Sequence, residues 1–422
     1  MKIMNYKESK EWLYSLKFAM EGFKLDKTRK LAKLAKLDLT KLKTIHIAGS
    51  NGKGSTGAFI EFILKEQGYK TGFYTSPHLV EPIERMKINN KNISEKRFMQ
   101  LTNYFRKLMA KNNFRANYFE VITVMAFKYF IEEKIDLLIS EVGLGGRLDA
   151  TNVLDGIISV ITRISLEHTQ YLGKNISKIA KEKAGIIKKR STVIVAKNNP
   201  GLKQIQAKAK EQKSRIVYPN WIIKSSTNKG QEFELTKPEK ILKLKIKMLG
   251  KHQCENAAIA TATVISLRGR GFDVSEKSIR NGLRKAFWNA RLEIVKRNPI
   301  VLLDAAHNPE GWKRLFESLK LFKYEKLIVV FGAMHDKDIN VFRKYLRKIN
   351  SLIITKSDSF RAEKPEKLKK KLEKGNIIVP EEKAIKQALT EAGKKDLVLI
   401  TGSIYVVGKA FEILKIKTIA LK

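Results

Sequence analysis

The octet Gly49-Ser50-Asn51-Gly52-Lys53-Gly54-Ser55-Thr56 has the make-up of a phosphate cradle. Glycines let backbone N–H groups approach an anion closely, and a helix beginning inside the octet adds favourable partial charge. Lys53 supplies a cation for the β- and γ-phosphates of ATP, and a hydroxyl from Ser55 or Thr56 can hold Mg²⁺. Gly49, Asn51, Gly52 and Gly54 are also expected to bind ATP. Gly54 separates Lys53 from Ser55, a departure from the plain P-loop pattern. An ATP site also needs an anionic partner for Mg²⁺, and the run Glu141-Val142-Gly143-Leu144-Gly145-Gly146-Arg147-Leu148-Asp149-Ala150-Thr151-Asn152 offers one. Glu141 closes an apolar stretch, where a carboxylate is costly unless a cation meets it.

The flanking elements must put these residues where ligands bind. Thr44–Ala48 reads as a strand running into the octet, followed by a helix from Ser55 to Gln67 that Gly68 closes. Lys70–Thr75, Asp136–Glu141, Gly156–Thr162 and Thr192–Ala196 read as further strands. Strand, glycine turn and helix in that order begin a parallel α/β sheet, whose ligands lie at the carboxyl ends of the strands. The opening stretch to Leu42 reads as helical, with Trp12, Leu13, Leu16 and Phe18 on one apolar face and Leu31, Leu34 and Leu37 on another. Ile216–Leu249 changes to short alternating strands, expected as a small antiparallel sheet at the edge of the first domain; a helix over Glu255–Leu267 follows. A second α/β series starts near Asn298, with strands Ile300–Asp304, Leu327–Phe331, Ser351–Thr355, Ile377–Val379 and Leu397–Thr401. The expected division is therefore a mainly parallel P-loop-type ATPase domain over 1–296 and a smaller Rossmann-like α/β domain over 297–422.

Composition narrows the class. At 422 residues the chain exceeds the size of one growing core, which makes two domains the default. No apolar run is long enough to span a bilayer, and Met1–Glu8 lacks the apolar region of a secretory signal. Cys254 is the single cysteine, so no internal disulfide can form, and the expected location is cytoplasmic. The formal net charge is +42. Such an excess could serve nucleic-acid binding, but it is spread over several segments. No zinc-finger spacing, aromatic RNA-binding signature or basic zipper accompanies it. Nucleic acid is therefore not the expected partner, although a positive surface would attract ATP and acidic substrates.

Four blocks in order, Gly49–Thr56, Thr75-Ser76-Pro77-His78-Leu79, Glu141–Asn152 and Asp304-Ala305-Ala306-His307-Asn308-Pro309, resemble the folylpolyglutamate synthase / dihydrofolate synthase family of the Mur ligase superfamily. The likeness runs from Thr44 to Gly408, and Gly54 points to the folate branch. The resemblance implies two Mg²⁺ ions, one on Ser55 and Glu141 and the other on Ser76, Glu141 and His168. It implies a carbamate on Lys183, an amide from Asn256 at the adenine, and Arg291 at the ATP phosphates. Asp304 and His307 would face the nucleotide and the incoming amino acid; Ser76, Pro77, His78, His307 and Ser403 would lie on the substrate side. The sequence departs from the family in Glu167, where Asp is usual, in Asn289-Ala290, where Pro-Gly is usual, and in Ala305, where Gly is usual.

The implied activity is an ADP-forming ligase that activates a folate carboxylate as an acyl phosphate and couples it to L-glutamate. Lys53, Glu141, His168, Lys183, Asp304 and His307 would be the catalytic set. Dihydrofolate synthase activity on dihydropteroate, both activities together, or a related pterin-like or cofactor carboxylate are the alternatives on substrate. A basic P-loop nucleic-acid ATPase is the alternative of a different class. The family's self-sufficient active site makes a monomer the default.

Overall fold

The computed structural model describes residues 3–16, 24–236 and 240–416, so Phe18 lies outside the described residues. Two compact units divide the chain, one formed by Met1–Trp221, Leu235–Ile241 and Glu255–Ala286, the other by Ile222–Glu234, Leu242–Cys254 and Phe287–Lys422. The expected division at 296/297 falls inside the strand Glu293–Arg297.

In the first unit, eight strands form one sheet: β1 (Thr44–Ala48), β2 (Thr71–Tyr74), β3 (Met86–Ile88), β4 (Lys91–Asn92), β5 (Leu137–Glu141), β6 (Gly156–Ile161), β7 (Thr192–Val195) and β8 (Arg215–Val217). Their order is β4-β3-β2-β5-β1-β6-β7-β8. From β2 to β8 every pairing is parallel, and only the β2–β3 and β3–β4 contacts are antiparallel. All five residues of β1 and of β5 are buried, as expected of parallel strands covered on both faces. One apolar cluster gathers Tyr74 and Leu138 with Leu13, Leu31, Phe98, Phe105, Phe127 and Phe130. Another joins Ala48, Ile161 and Val193 to Ile179, Ile187 and Ile205. The helices expected before Leu42 are Tyr6–Ser15 and Asp26–Leu34, and each buries one leucine of the expected apolar faces, Leu13 and Leu31, completely.

Because β1, β2, β5 and β6 are parallel, their carboxyl ends emerge along one edge. Gly49, Thr75, Glu141 and Thr162 lie at or just beyond those ends, and β1 sits between β5 and β6. Chain order and spatial order diverge there, which opens a crevice for ligands in sheets of this kind.

The small separate sheet expected after residue 216 is present, although most of it falls in the second unit. β9 (Asn220–Thr227), β10 (Gly230–Thr236) and β11 (Ile241–Ile246) form this three-stranded sheet. Alternate residues of β11 are buried, so this ribbon packs on one face only. The second unit holds a six-stranded sheet of β12 (Glu293–Arg297), β13 (Ile300–Leu303), β14 (Leu327–Phe331), β15 (Ser351–Ile354), β16 (Asn376–Ile377) and β17 (Leu397–Thr401). Its order is β12-β13-β17-β14-β15-β16, parallel except for β12 against β13. Trp312, Phe316, Phe331 and Phe342 form the aromatic centre of its core.

Candidate active site

The glycine octet departs from a plain turn at two positions. Gly49 (φ +152°) runs so close to the strand beside it that a Cβ would lie 1.8 Å from the Thr162 hydroxyl oxygen. Gly52 (φ +91°) is left-handed and opens the helix Lys53–Gln67, which therefore starts two residues earlier than expected. No side chain caps that helix, so its first-turn N–H groups are offered to an anion. The loop is pinned from the segment just after β6: Ser50 and Asn51 donate backbone N–H to Arg163 O at 2.9 and 3.2 Å. The Asn51 amide also donates to Ser165 Oγ at 3.1 Å.

Two ammonium groups meet at the Gly49 carbonyl. Lys53 Nζ donates to it at 3.0 Å and lies 4.0 Å from Glu141 Oε1. Lys183, on the helix Ile176–Ala184, donates to the same oxygen at 3.0 Å and pairs with Glu167 Oε1 at 2.7 Å. Burial works to raise the Glu167 carboxyl, yet Lys183, with help from Lys53 and His168, holds it well below the usual carboxylate range. Burial also lowers the Lys183 ammonium, against the pull of Glu167. Glu141 is fixed by a hydroxyl that the sequence reading missed: Thr75 donates to its Oε2 at 2.5 Å.

Ser76 follows Thr75, and its hydroxyl oxygen is buried without a hydrogen-bond partner. Pro77 is joined to it by a cis peptide bond and is exposed. His78 is tied down differently: Arg85 Nε donates to its Nδ1 at 2.9 Å, and the Tyr14 hydroxyl lies 3.5 Å from its Nε2. Burial, then Arg85 and Lys10, push the His78 imidazole well below its ordinary range, so it is neutral. His168 adopts a left-handed backbone (φ 45°) at the head of Thr169–Leu172, a conformation uncommon outside glycine. Asn256 sits inside the helix His252–Ser266 with its amide against Gly52.

Beneath these residues a buried polar chain organises the Glu141 loop. His46 Nε2 lies 2.8 Å from Thr151 Oγ1, and Thr151 donates to Asp149 Oδ1 at 2.6 Å. Burial pushes His46 down to about 3. It is thus a neutral structural donor rather than a titrating group. Asp149 Oδ2 accepts the Leu144 N–H at 2.8 Å and so closes the glycine turn.

Among the described residues no three His, Cys, Asp or Glu side chains come together as a metal cluster. The donors present suit Mg²⁺ all the same, because that ion takes one or two carboxylates and fills its shell with phosphate oxygens and water. Glu141 at a strand end and the unpartnered Ser76 hydroxyl are donors of that kind.

The remaining expected residues lie in the second unit. Asp304 follows β13; its Oδ2 accepts the Leu292 N–H and its Oδ1 the Ala306 N–H, both at 2.9 Å. Burial raises its carboxyl, opposed chiefly by Arg291. Ala290 and Leu292 on either side of Arg291 are both left-handed (φ 57° and 48°). Two carboxylates hold that turn, Asp304 on Leu292 and Glu293 on the Ala290 N–H at 2.9 Å. The turn thus forms without the family's usual Pro-Gly. His307 Nδ1 lies 2.9 Å from Ala305 O; a carbonyl only accepts, so Nδ1 carries the proton. Ser403 caps the helix Ile404–Ile413, accepting from the Tyr405 N–H at 3.2 Å.

Known proteins resemble the chain over nearly its whole length. The Mur ligase middle domain matches residues 47–264, and the Mur ligase glutamate ligase domain matches 290–404. The dihydrofolate synthase/folylpolyglutamate synthase of Bacillus subtilis is 34% identical, over 97% of this chain and 99% of its own. Escherichia coli FolC in complex with DHPP and ADP superposes with a TM-score of 0.88 at 30% identity, covering 98% of each chain. The bifunctional folylpolyglutamate synthase/dihydrofolate synthase of Yersinia pestis, complexed with AMPPNP and Mn ion, does so at 0.87 and 29%, again covering 98% of each. The chain belongs to the dihydrofolate synthase/folylpolyglutamate synthase family of Mur ligases.

Proposed function

We propose that this chain is an ATP-dependent, ADP-forming ligase that joins L-glutamate to the carboxylate of a folate through an acyl phosphate. The observation that carries the reading is the pair of ammonium groups, Lys53 and Lys183, focused on the Gly49 carbonyl at the mouth of an uncapped helix beside Glu141. ATP lies along Gly49–Thr56, with Asn256 at the base. A folate carboxylate oxygen attacks the γ-phosphorus in line and ADP leaves. The glutamate amine then attacks the acyl carbon, phosphate departs with the bonding pair, and the amine loses its proton as the amide forms. Lys53 stabilises charge on the transferring phosphoryl group, and Arg291 serves the phosphates. Asp304 and His307 meet the incoming amino acid. The nucleotide belongs to the domain 1–296 and the amino acid to 297–422.

Bound Mg²⁺ would neutralise the phosphates and the incoming carboxylate, so that two anions can approach each other. Ser55 and Glu141 would hold one ion, and Ser76, Glu141 and His168 a second. The unpartnered Ser76 hydroxyl supports the second assignment. A carbamate on Lys183 is supported by the family resemblance; forming it would replace the attraction to Glu167 at 2.7 Å with repulsion between two anions. Among the described residues no helix is long and apolar enough to cross a membrane. A cytoplasmic monomer is part of the same proposal.

Lys53→Ala tests the reading: ADP release that depends on folate and glutamate is lost while the thermal unfolding midpoint stays near that of the parent. Undiminished turnover in a folded variant would sink the phosphate-loop assignment. Dihydropteroate, tetrahydrofolate and folate diglutamate, each with and without glutamate, separate the two activities from a bifunctional enzyme. Stimulation by nucleic acid instead of glutamate would favour a P-loop ATPase, a reading in which Glu141 and Asp304 have no task.

A further inference from the structure

The loop that leaves β2 carries Ser76, Pro77 and His78, and its shape comes from within. Thr75 N donates to Arg85 O at 3.1 Å, which closes residues 75–85 at their base. Inside, the Glu84 carboxylate accepts three successive backbone N–H groups, from Leu79 at 2.9 Å, Val80 at 3.0 Å and Glu81 at 2.9 Å. These bonds fold the loop on itself but do not fix where its outer turn stands.

The outer turn is held through Glu81 by the N-terminal helix Tyr6–Ser15. Lys10 Nζ donates to both Glu81 carboxylate oxygens at 3.0 Å, and the Tyr6 hydroxyl donates to Oε2 at 2.9 Å. Lys10 Nζ also lies 4.8 Å from the centre of the Tyr6 ring, a contact that favours the ammonium. Burial, then Glu81, pushes the Tyr6 phenol well above its ordinary range, so it stays a donor. The helix is a firm base for this clamp. Asn5 and Glu8 form a capping box, and Leu13 is completely buried. Tyr6 stands edge-on to Phe98 at 5.9 Å, and Met4 N donates to Asn103 Oδ1 at 2.9 Å. The last turn of the helix meets the same loop again, with the Tyr14 hydroxyl beside His78 and its ring stacked on Tyr118.

We propose that Lys10 and Tyr6, acting through Glu81, position the loop 75–81 for the carboxylate substrate, so that the N-terminal helix sets the affinity for folate. The proposal rests on the ligase reading, which puts Ser76, Pro77 and His78 on the substrate side. Lys10, Tyr6 and Glu81 are positioning residues that act through the loop. The Lys10 and Glu81 side chains are 25% and 38% exposed. A pair so placed adds little to global stability, so the loop can be released without unfolding the unit.

The test is steady-state ADP release with folate, ATP and glutamate varied in turn, for Glu81→Ala, Lys10→Glu and the charge swap that combines Lys10→Glu with Glu81→Lys. Thermal unfolding is run alongside. Loss of the clamp should raise the KM for folate about 3- to 10-fold in Glu81→Ala, with the KM for ATP within about twofold of the parent. Lys10→Glu sets two carboxylates against each other and should raise the KM for folate at least as much. The swap restores opposite charges and should bring that KM back to within about twofold of the parent. A purely structural role would shift the unfolding midpoint without this selective loss and recovery. A folded Glu81→Ala with an unchanged KM for folate overturns the proposal, as does an equal rise in the KM for ATP, or a swap as impaired as the single variants. If Glu81→Ala does not fold, Lys10→Met decides by the same criterion. Failure of the ligase reading looks different: the parent itself would then show no ADP release that depends on folate and glutamate.

Discussion

Gly52→Ala strikes the phosphate loop at a point where two separate costs can be worked out. The backbone there is left-handed, at φ +91°, which costs an alanine about 1–2 kcal/mol. The new methyl would also lie 2.4 Å from Asn256 Oδ1 and 3.1 Å from its amide carbon. Real contacts do not close to that distance, so the Asn256 amide must shift. It is buried within its helix, and displacing a buried amide from its partners adds about 1–3 kcal/mol. Together the variant should lose about 2–5 kcal/mol. In a unit of this size that lowers the unfolding midpoint by about 5–15 °C.

The same shift takes Asn256 from the proposed adenine site, so affinity for a non-hydrolysable ATP analogue should fall with stability. Calorimetric binding and thermal unfolding of Gly52→Ala, Asn256→Ala and the double variant separate the two costs. The double variant removes the collision but keeps the strained backbone. It should regain at least about 1 kcal/mol relative to the sum of the single changes, while nucleotide affinity stays low. If Gly52→Ala melts and binds as the parent does, the loop geometry is wrong. If the two changes simply add in stability, the contact between Gly52 and Asn256 does not carry the effect.

Two further expectations concern buried charge. Burial raises the Glu61 carboxyl to about 7, against the Asn90 N–H and Lys87 that oppose the rise. Its folded value lies above its unfolded one, so the native state holds the extra proton and stability falls as pH rises from about 4.5 to 7. Glu61→Gln, which keeps an acceptor for Asn90, should remove about 3 kcal/mol of that pH dependence; urea unfolding at pH 5 and pH 8 measures it, and an unchanged slope refutes it. Lys183→Met leaves Glu167 buried beside an apolar chain and should cost about 3–5 kcal/mol. Replacing both partners by apolar residues should recover most of that stability in thermal unfolding but none of the ligase activity; a double variant no more stable than Lys183→Met would show that the pair is not what holds this helix.

The parts of the site legible in the sequence are those that are local in the chain. The octet 49–56 joins a strand to a helix start within a few residues, so its glycines sufficed to place that turn. Apolar runs located most of the parallel strands, because strands buried on both faces lack alternation. Alternation located the separate small sheet after 216, but it says nothing of which unit that sheet joins, and most of it falls in the second. Long-range pairings were also out of reach. Thr75 is separated by 66 positions from the Glu141 it holds. Glu167 was noted only as a substitute for Asp, and its partner Lys183 lies 16 positions on, one lysine among the many in a chain of net charge +42. Composition alone would have placed that lysine on the surface.

The Gly49 carbonyl shows why those distant residues matter. One backbone oxygen at the end of β1 takes a hydrogen bond from Lys53 and another from Lys183. Each ammonium has its own carboxylate, Glu141 for Lys53 and Glu167 for Lys183. Two neighbouring cations repel each other, and the paired anions offset that repulsion. At 4.0 Å, Lys53 and Glu141 are in charge contact but not hydrogen-bonded, whereas Lys183 and Glu167 are closed at 2.7 Å. The looser pair is the easier to open: in the proposed ligase, phosphate would draw Lys53 away and leave Glu141 for a cation. The tight pair holds Lys183 on the Gly49 carbonyl. The sequence marks Lys53 through its glycine octet, whereas Lys183 is singled out only by the family resemblance. The geometry sets them apart: Lys183 is closed on Glu167 at 2.7 Å, whereas Lys53 stands 4.0 Å from Glu141.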